Sequence, residues 1–385
     1  MGAEHFACAL FFFMQGLCAS TWAARIPAIA QQLSLSDGVL GSVLVAAPLA
    51  SLCAMPLAGL LVARWGSRPV LRVSALYQAL GVCAIGWAPT PWTLVAALVA
   101  YGIANTLVQI AVNAQAVATE RRTGGSWMAT YHGLWSIGGF VGAALAAGLM
   151  AQQVGPKGHV TVMLVAVLGL YACGYSKLLP DAPNSVTGAK AWARPDRNLL
   201  ALGTLAFLAM FCETAMFDWS GMYMGRVVQL PAQMAGTAYA AMMAAMAIGR
   251  FGADVAVGRL GLWRTLRWGG LLSVSGLALA VLWPNAAPTS CGFVLVGLGL
   301  APLVPLLMGV AGRATALPPG VALAWTSTIG FTGAMAAPPT LGWLSTQFGL
   351  RAAFVLPIVL ATGFVLGLGC RPLGRRNMAN SSAIG

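Results

Sequence analysis

Charged side chains are scarce in this sequence. Of 385 residues only 8% are Asp, Glu, Lys or Arg, against roughly 25% in a soluble domain. Acids are the rarest, with eight Asp and Glu against 21 Lys and Arg. With 59% hydrophobic residues, the chain has too little polar surface to face water on every side, which excludes an ordinary soluble domain. The eight Cys include no C-x-x-C pair and form no ligand cluster with the three His, so no metal site is expected. No G-x-x-x-x-G-K-[ST] run is present, and neither H-E-x-x-H nor G-x-S-x-G occurs. These absences argue against direct use of ATP and against an intramembrane enzyme, and no cofactor is expected. Nor does any Lys/Arg run alternate with aromatics in a polar segment, so the net charge of +13 is not read as nucleic-acid binding.

What is present is a series of long apolar runs. A helix needs about 20 apolar residues to cross the hydrocarbon core. Segments of that kind are expected at 3–26, 38–63, 70–89, 92–118, 126–150, 160–179, 199–224, 235–257, 265–284, 289–312, 320–344 and 351–371. The first run lacks a basic leader and is read as a retained membrane helix rather than a cleaved signal. Twelve crossings put both termini on one side. With the N-terminus placed in the cytoplasm, sixteen Lys and Arg fall on inside loops and tail and four on outside ends, with Arg250 left inside a helix. Basic residues collect on cytoplasmic loops, so both termini are expected there.

The polar stretch Pro180–Asn198 divides the chain. It is expected to be a cytoplasmic linker between a six-helix half at 1–179 and another at 199–371, followed by a tail at 372–385. The halves repeat each other. Ala63-Arg64-Trp65-Gly66-Ser67-Arg68 returns as Gly258-Arg259-Leu260-Gly261-Leu262-Trp263-Arg264, and Gly139-Phe140-Val141-Gly142-Ala143 returns as Gly330-Phe331-Thr332-Gly333-Ala334. Trp22 pairs with Trp219 at nearly the same offset. Parallel repeats of six helices are a transporter plan.

At these residues the chain resembles the major facilitator superfamily. That family carries a signature between helices two and three: Gly, three residues, Asp, Arg/Lys, any residue, Gly, Arg, Arg/Lys. Here it stands as Gly59-Leu60-Leu61-Val62-Ala63-Arg64-Trp65-Gly66-Ser67-Arg68. Gly59, Arg64, Gly66 and Arg68 match, while Ala63 and Ser67 replace the Asp and one Arg. The run Ser20-Thr21-Trp22-Ala23-Ala24-Arg25-Ile26-Pro27 is similar to the fucose-permease-like bacterial branch. The resemblance implies an all-α membrane protein of twelve transmembrane helices in two six-helix pseudo-symmetric bundles. It further implies a bacterial cytoplasmic (inner) membrane, a monomer, and a central cavity lined by helices one, four, seven and ten. Loss of the signature Asp leaves its gating charge unfilled in the first half. Arg250 and Asp254, at i and i+4 in helix eight, are candidates to supply it, or form a static ion pair. Arg25 is grouped with these gating residues.

Candidate site residues follow from the cost of polar groups in hydrocarbon, about 2.5–3.5 kcal/mol for a charge on insertion scales. Glu213 lies near the middle of span seven. It is read as a protonation site, as a counter-charge for a cationic substrate, or as a carboxyl bonded between helices or to an Arg. Asp218 lies closer to the outside and is either a second such group or a partner of Arg25. His132 can shuttle protons near neutral pH, or serve as an interior hydrogen-bonding group. Asn105, Gln109 and Asn113, at i, i+4 and i+8, share one face of span four. That face cannot look at lipid; it contacts either a polar solute or neighbouring helices. Gln15, Trp22, Tyr131 and Trp219 complete the candidate substrate set, the aromatics by stacking or cation–π contact. Gly138/Gly142 and Gly363/Gly367 have the spacing of close helix contacts.

These readings together favour secondary transport of a small solute by alternating access. Proton-coupled uptake of a sugar-like or neutral polar solute is the first expectation, with substrate, protons and the lipid bilayer as the partners. Proton-driven export of apolar or cationic compounds is the alternative. A channel or non-transporting receptor on the same fold is the alternative of another class.

Overall fold

Lipid offers the backbone no hydrogen-bond partner, so a membrane chain must satisfy its N–H and C=O groups within helices or closed barrels. This chain uses helices. A computed structural model describes residues 2–123, 127–180, 195–231, 234–311 and 319–369. The expected tail at 372–385 and most of the expected linker lie outside the described residues. Twelve helical segments are seen: α1 (Ala3–Gln32), α2 (Asp37–Trp65), α3 (Ser67–Trp87), α4 (Pro91–Thr123), α5 (Met128–Ala151), α6 (Pro156–Gly174), α7 (Arg197–Arg226), α8 (Ala235–Leu260), α9 (Leu262–Leu282), α10 (Ala286–Ala311), α11 (Pro319–Phe348) and α12 (Leu350–Gly369). Among the described residues eleven of these are long and apolar enough to span a membrane. The remaining one, α11, has 30 residues but is diluted by Thr, Ser, Gly and the internal pair Pro338-Pro339. Each segment matches an expected span to within several residues at its ends. α1 runs further than expected, because a break at Ala24-Arg25 is followed by a second short helix, Ile26–Gln32, with Pro27 in its first turn.

Helix starts follow local chemistry. Asp196 caps α7 by accepting from the Leu199 N–H, and Ser36 caps α2 through Val39, each satisfying a donor that no helical carbonyl can reach. Pro156 opens α6, where its missing N–H costs nothing. Three connections consist of one glycine each: Gly66 between α2 and α3, Gly261 between α8 and α9, and Gly349 between α11 and α12, at φ values of 82–84°. Only glycine takes that backbone without strain.

The packing is twofold repetitive. In the first half α1 packs on α5 and α6, α4 on α2 and α3, and α3 on α6; in the second, α7 packs on α11 and α12, α10 on α8 and α9, and α9 on α12. A glycine in each half explains one of these crossings. A Cβ on Gly138 would lie 2.1 Å from the Phe13 carbonyl oxygen, and one on Gly333 would lie 2.3 Å from that of Phe207. The α1–α5 and α7–α11 contacts thus both depend on backbones too close for a side chain. Gly363 and Gly367 do not share this role, since a Cβ at either would meet only a leucine methyl, at 3.9 and 3.2 Å. The halves meet along two seams, α2 against α11 and α5 against α8. Large apolar side chains such as Leu60, Val165, Ile248 and Leu366 stay exposed, and Trp65, Trp87, Trp92, Trp283 and Trp343 stand exposed near helix ends. A lipid-facing surface with aromatics at its margins has this form.

Candidate functional site

The α5–α8 seam carries an ion pair. Arg250 on α8 donates to a Glu213 carboxylate oxygen on α7 at 3.0 Å. It also donates to the Ser136 hydroxyl on α5 at 2.9 Å, and its guanidinium sits over the Trp135 ring at 4.8 Å from the centroid. One cation therefore joins two helices of the second half to one of the first. The Glu213 and Arg250 side chains keep 19% and 16% of their surface accessible, so each is largely shielded but not sealed. The expected pairing of Arg250 with Asp254 is not formed. Asp254 is exposed and makes no ion pair among the described residues, while Arg250 turns across the interface to Glu213. The reason is geometric: an i, i+4 partner lies along the helix edge, whereas Glu213, Ser136 and Trp135 converge on one side of α8.

Asp218, one and a half turns beyond Glu213, is 7% exposed and makes no hydrogen bond or ion pair among the described residues. Its expected pairing with Arg25 is not formed. Arg25, 2% exposed, donates from Nε to Nδ1 of His159 on α6 at 2.8 Å.

The amide face of α4 divides into separate roles. The Asn105 side-chain oxygen accepts from Gln15 of α1 at 3.2 Å and from Gln78 of α3 at 2.8 Å, which ties three helices together. Asn113 donates back to the Gln109 carbonyl at 2.7 Å. The half-buried Gln109 side chain makes no hydrogen bond among the described residues. Among the described residues the Gln109 amide and the Asn113 side-chain oxygen thus remain ready for another partner.

The aromatic candidates are packed. Tyr131 is fully buried, stacked on Phe12 and hydrogen-bonded to His5 at 2.7 Å. Trp22 is 9% exposed and meets Tyr101 edge-on. Trp219 is fully buried, and its indole N–H has no partner. His132 is exposed to space beside Phe12. In the signature loop Gly59 and Arg64 are exposed, while Gly66 makes the positive-φ turn. Arg68 reaches the Ser176 carbonyl at 3.5 Å, and Arg72 reaches that of Tyr175 at 2.8 Å. The loop thus docks α3 onto the end of α6 inside the first half.

One cross-half contact was not anticipated. Asp37, at the start of α2, accepts hydrogen bonds from Arg226 at the end of α7 and from Ser345 near the end of α11. Beside it a Cβ on Gly41 would lie 2.4 Å from the Pro338 carbonyl oxygen. The halves are drawn together at the face opposite the N-terminus. Next to this contact lies a cavity of about 660 Å³ between the ends of α1, α5, α6, α7 and α8. In sequence Asp37 reads only as an acid in a first helical turn, so nothing there singled it out.

The model of the Major Facilitator Superfamily matches residues 7–319. The chain belongs to the major facilitator superfamily. It is 32% identical over 345 residues to an uncharacterized MFS-type transporter of Yersinia pestis, covering 90% of each chain. It is also 30% identical over 364 residues to membrane protein MosC of Rhizobium meliloti, covering 94% of this chain and 88% of that one. Among solved structures, nucleoside transporter NupG superposes with a TM-score of 0.76 at 12% identity, over 96% of this chain and 100% of that one. A bacterial homolog of the human lysosomal transporter Spinster, in an inward-facing and occupied conformation, gives 0.75 at 15% identity, over 97% and 96%. Membership makes the chain a multi-pass membrane transporter of small molecules and not an enzyme. The structural likenesses, at such low identity, speak to the fold alone.

Proposed function

We propose that this transporter is a proton-coupled carrier that takes up a small polar solute, with Glu213 as the group that binds and releases the proton. The observation that carries this reading is the Glu213–Arg250 pair, because Arg250 also holds Ser136 and Trp135 of the other half. With Glu213 charged, Arg250 has a strong partner and the seam between α5 and α8 is fixed around it. A proton on Glu213 removes most of that attraction, which at 3.0 Å and an effective dielectric near 20 is about 5 kcal/mol before desolvation. The seam then becomes easier to part. Alternating access requires a switch of this kind between two rigid halves. In this scheme the halves are 1–179 and 199–371, linked by 180–198, with both termini in the cytoplasm of a bacterial cell and one chain per pathway. Gln109, Asn113 and His132 offer the polar contacts for the solute. Because Arg250 already neutralises Glu213, that acid is better suited to the proton than to a cationic substrate.

Asp218 supports a second reading, proton-driven export of cations. Its carboxylate is buried without a hydrogen-bonding or ionic partner among the described residues, as a counter-charge awaiting its cation would be.

Thermal stabilisation of purified protein by a panel of sugars, polyols, nucleosides and lipophilic cations identifies the solute. Uptake of that solute into proteoliposomes under an imposed proton gradient then tests the coupling. Glu213→Gln is expected to abolish gradient-driven accumulation while retaining exchange of solute across the membrane. Accumulation undiminished in Glu213→Gln refutes the assignment. Stabilisation by cations that is lost in Asp218→Asn decides for export.

A further inference from the structure

We infer that the cavity at the face opposite the N-terminus is a binding site for an anionic group, a carboxylate or a phosphate, held by Arg25 and Ser220. The site is separate from the Glu213–Arg250 pair and does not depend on the role proposed for it.

The cavity, of about 660 Å³, lies within the range of small-molecule sites. Arg25, from the break in α1, lines it. A guanidinium has five N–H donors and is always charged, and burying one without a partner is costly. Arg25 is 2% exposed, yet no carboxylate among the described residues meets it. Its Nε–H is spent on His159 Nδ1, which leaves the neutral imidazole with its proton on Nε2. The Arg25 Nη2 is buried with no hydrogen-bond partner. Ser220 on α7 belongs to the same cavity wall, and its hydroxyl is likewise buried and unpartnered. Two residues of one cavity wall, one of them cationic, thus each keep an unsatisfied donor just beneath the surface of the cavity.

The surroundings favour negative charge. No Asp or Glu among the described residues lines the cavity. Arg226 lines it as well, already bonded to Asp37. Gly155 and Pro156 place the start of the 19-residue helix α6 at the wall, where the unpaired N–H groups and the positive end of the helix dipole point outward. Gln153 and Tyr239 add neutral polar contacts. Once the Arg25 and Ser220 side chains turn toward the cavity, a planar carboxylate or a phosphate would take paired hydrogen bonds from the free edge of Arg25 and a further one from Ser220. Loss of either donor therefore weakens anions selectively and leaves neutral ligands untouched.

The same chemistry is offered by a soluble anion and by the phosphate of an anionic lipid, and the test separates them. Purified protein in neutral detergent is melted in sodium lactate or sodium phosphate against sodium chloride of equal ionic strength. In parallel, protein in nanodiscs of phosphatidylcholine is compared with discs containing phosphatidylglycerol. Lactate or phosphate is expected to raise the melting temperature of the wild type in a saturable manner, and Arg25→Gln to abolish the rise. Ser220→Ala, a change too small to threaten folding, is expected to raise the half-saturating concentration about tenfold. Stabilisation by phosphatidylglycerol alone, lost in Arg25→Gln, would assign the site to a lipid headgroup. The inference is overturned if neither soluble anions nor phosphatidylglycerol stabilise the wild type. It is equally overturned if the effect is unchanged in Ser220→Ala, which decides the matter even where Arg25→Gln does not fold.

Discussion

Replacing Arg250 by Met is expected to cost more than any other single change at the seam between the halves. The substitution keeps an unbranched, apolar stem but removes the guanidinium. Glu213 loses a partner at 3.0 Å, Ser136 loses a donor at 2.9 Å and Trp135 loses the cation on its face. Both charged side chains are less than a fifth exposed, so solvent screens little of the interaction. Breaking a buried pair by removing one member costs about 3–5 kcal/mol, chiefly because the survivor is left charged and unpartnered. Glu213→Gln should cost less, since its amide oxygen can still accept from Arg250. The double variant Glu213→Gln/Arg250→Met leaves no orphan charge and should therefore lie well below the sum of the two. The coupling energy from this cycle is expected to exceed about 1.5 kcal/mol, beyond the roughly 0.6 kcal/mol average for hydrogen bonds between membrane helices. Reversible unfolding in mixed micelles, followed by tryptophan fluorescence, gives the four stabilities. If the single effects add to within about 0.5 kcal/mol, the two residues do not depend on one another, and neither stability nor gating can be attributed to their contact.

Two further outcomes follow from the opposite face. Asp37→Asn weakens the link from α2 to Arg226 and Ser345; because Arg226 is 45% exposed, the loss should be only about 0.2–1 kcal/mol, a shift of no more than about fivefold toward separation. A cysteine placed at Ala30, 1% exposed at the cavity wall, should then label up to that much faster, and an unchanged rate would show that Asp37 does not hold this face closed. Gly41→Leu forces a side chain where the Pro338 carbonyl lies 2.4 Å from the Cβ position. It is expected to cost at least about 1–3 kcal/mol and to raise labelling at the same reporter far more than Asp37→Asn; a neutral effect would mean the α2–α11 crossing is not tight.

The twelve helices and the likeness of the two halves were readable because lipid leaves the backbone so few options: a run of about 20 apolar residues has to be a helix, and Gly139/Gly330 and Gly66/Gly261 recur at close to one interval. The polar contacts were harder to read. The i, i+4 rule pointed Arg250 toward Asp254, but that rule describes an isolated helix surface, and in a bundle the convergence of α5, α7 and α8 outweighs it. Asn105 was visible as one of three amides on a face, yet its use as a bridge to Gln15 and Gln78 depends on which helices flank α4. Asp37, His159 and Ser220 carry no local pattern at all. The partners of Asp37 and His159 lie 189 and 134 residues away along the chain, and the Ser220 hydroxyl has none among the described residues, so only the fold could disclose these roles.

The single-glycine joints at Gly66, Gly261 and Gly349 set how this molecule can work as a machine. A linker one residue long has two soft dihedrals, so any change of angle between α2 and α3, α8 and α9 or α11 and α12 has to pass through the φ and ψ of a single glycine. Such a joint leaves its two helices no slack in separation, and a displacement of one end is expected to be handed directly to the other. Lengthening such a joint, even by a single residue, would decouple the arms and cost the transporter its stroke while leaving each helix intact.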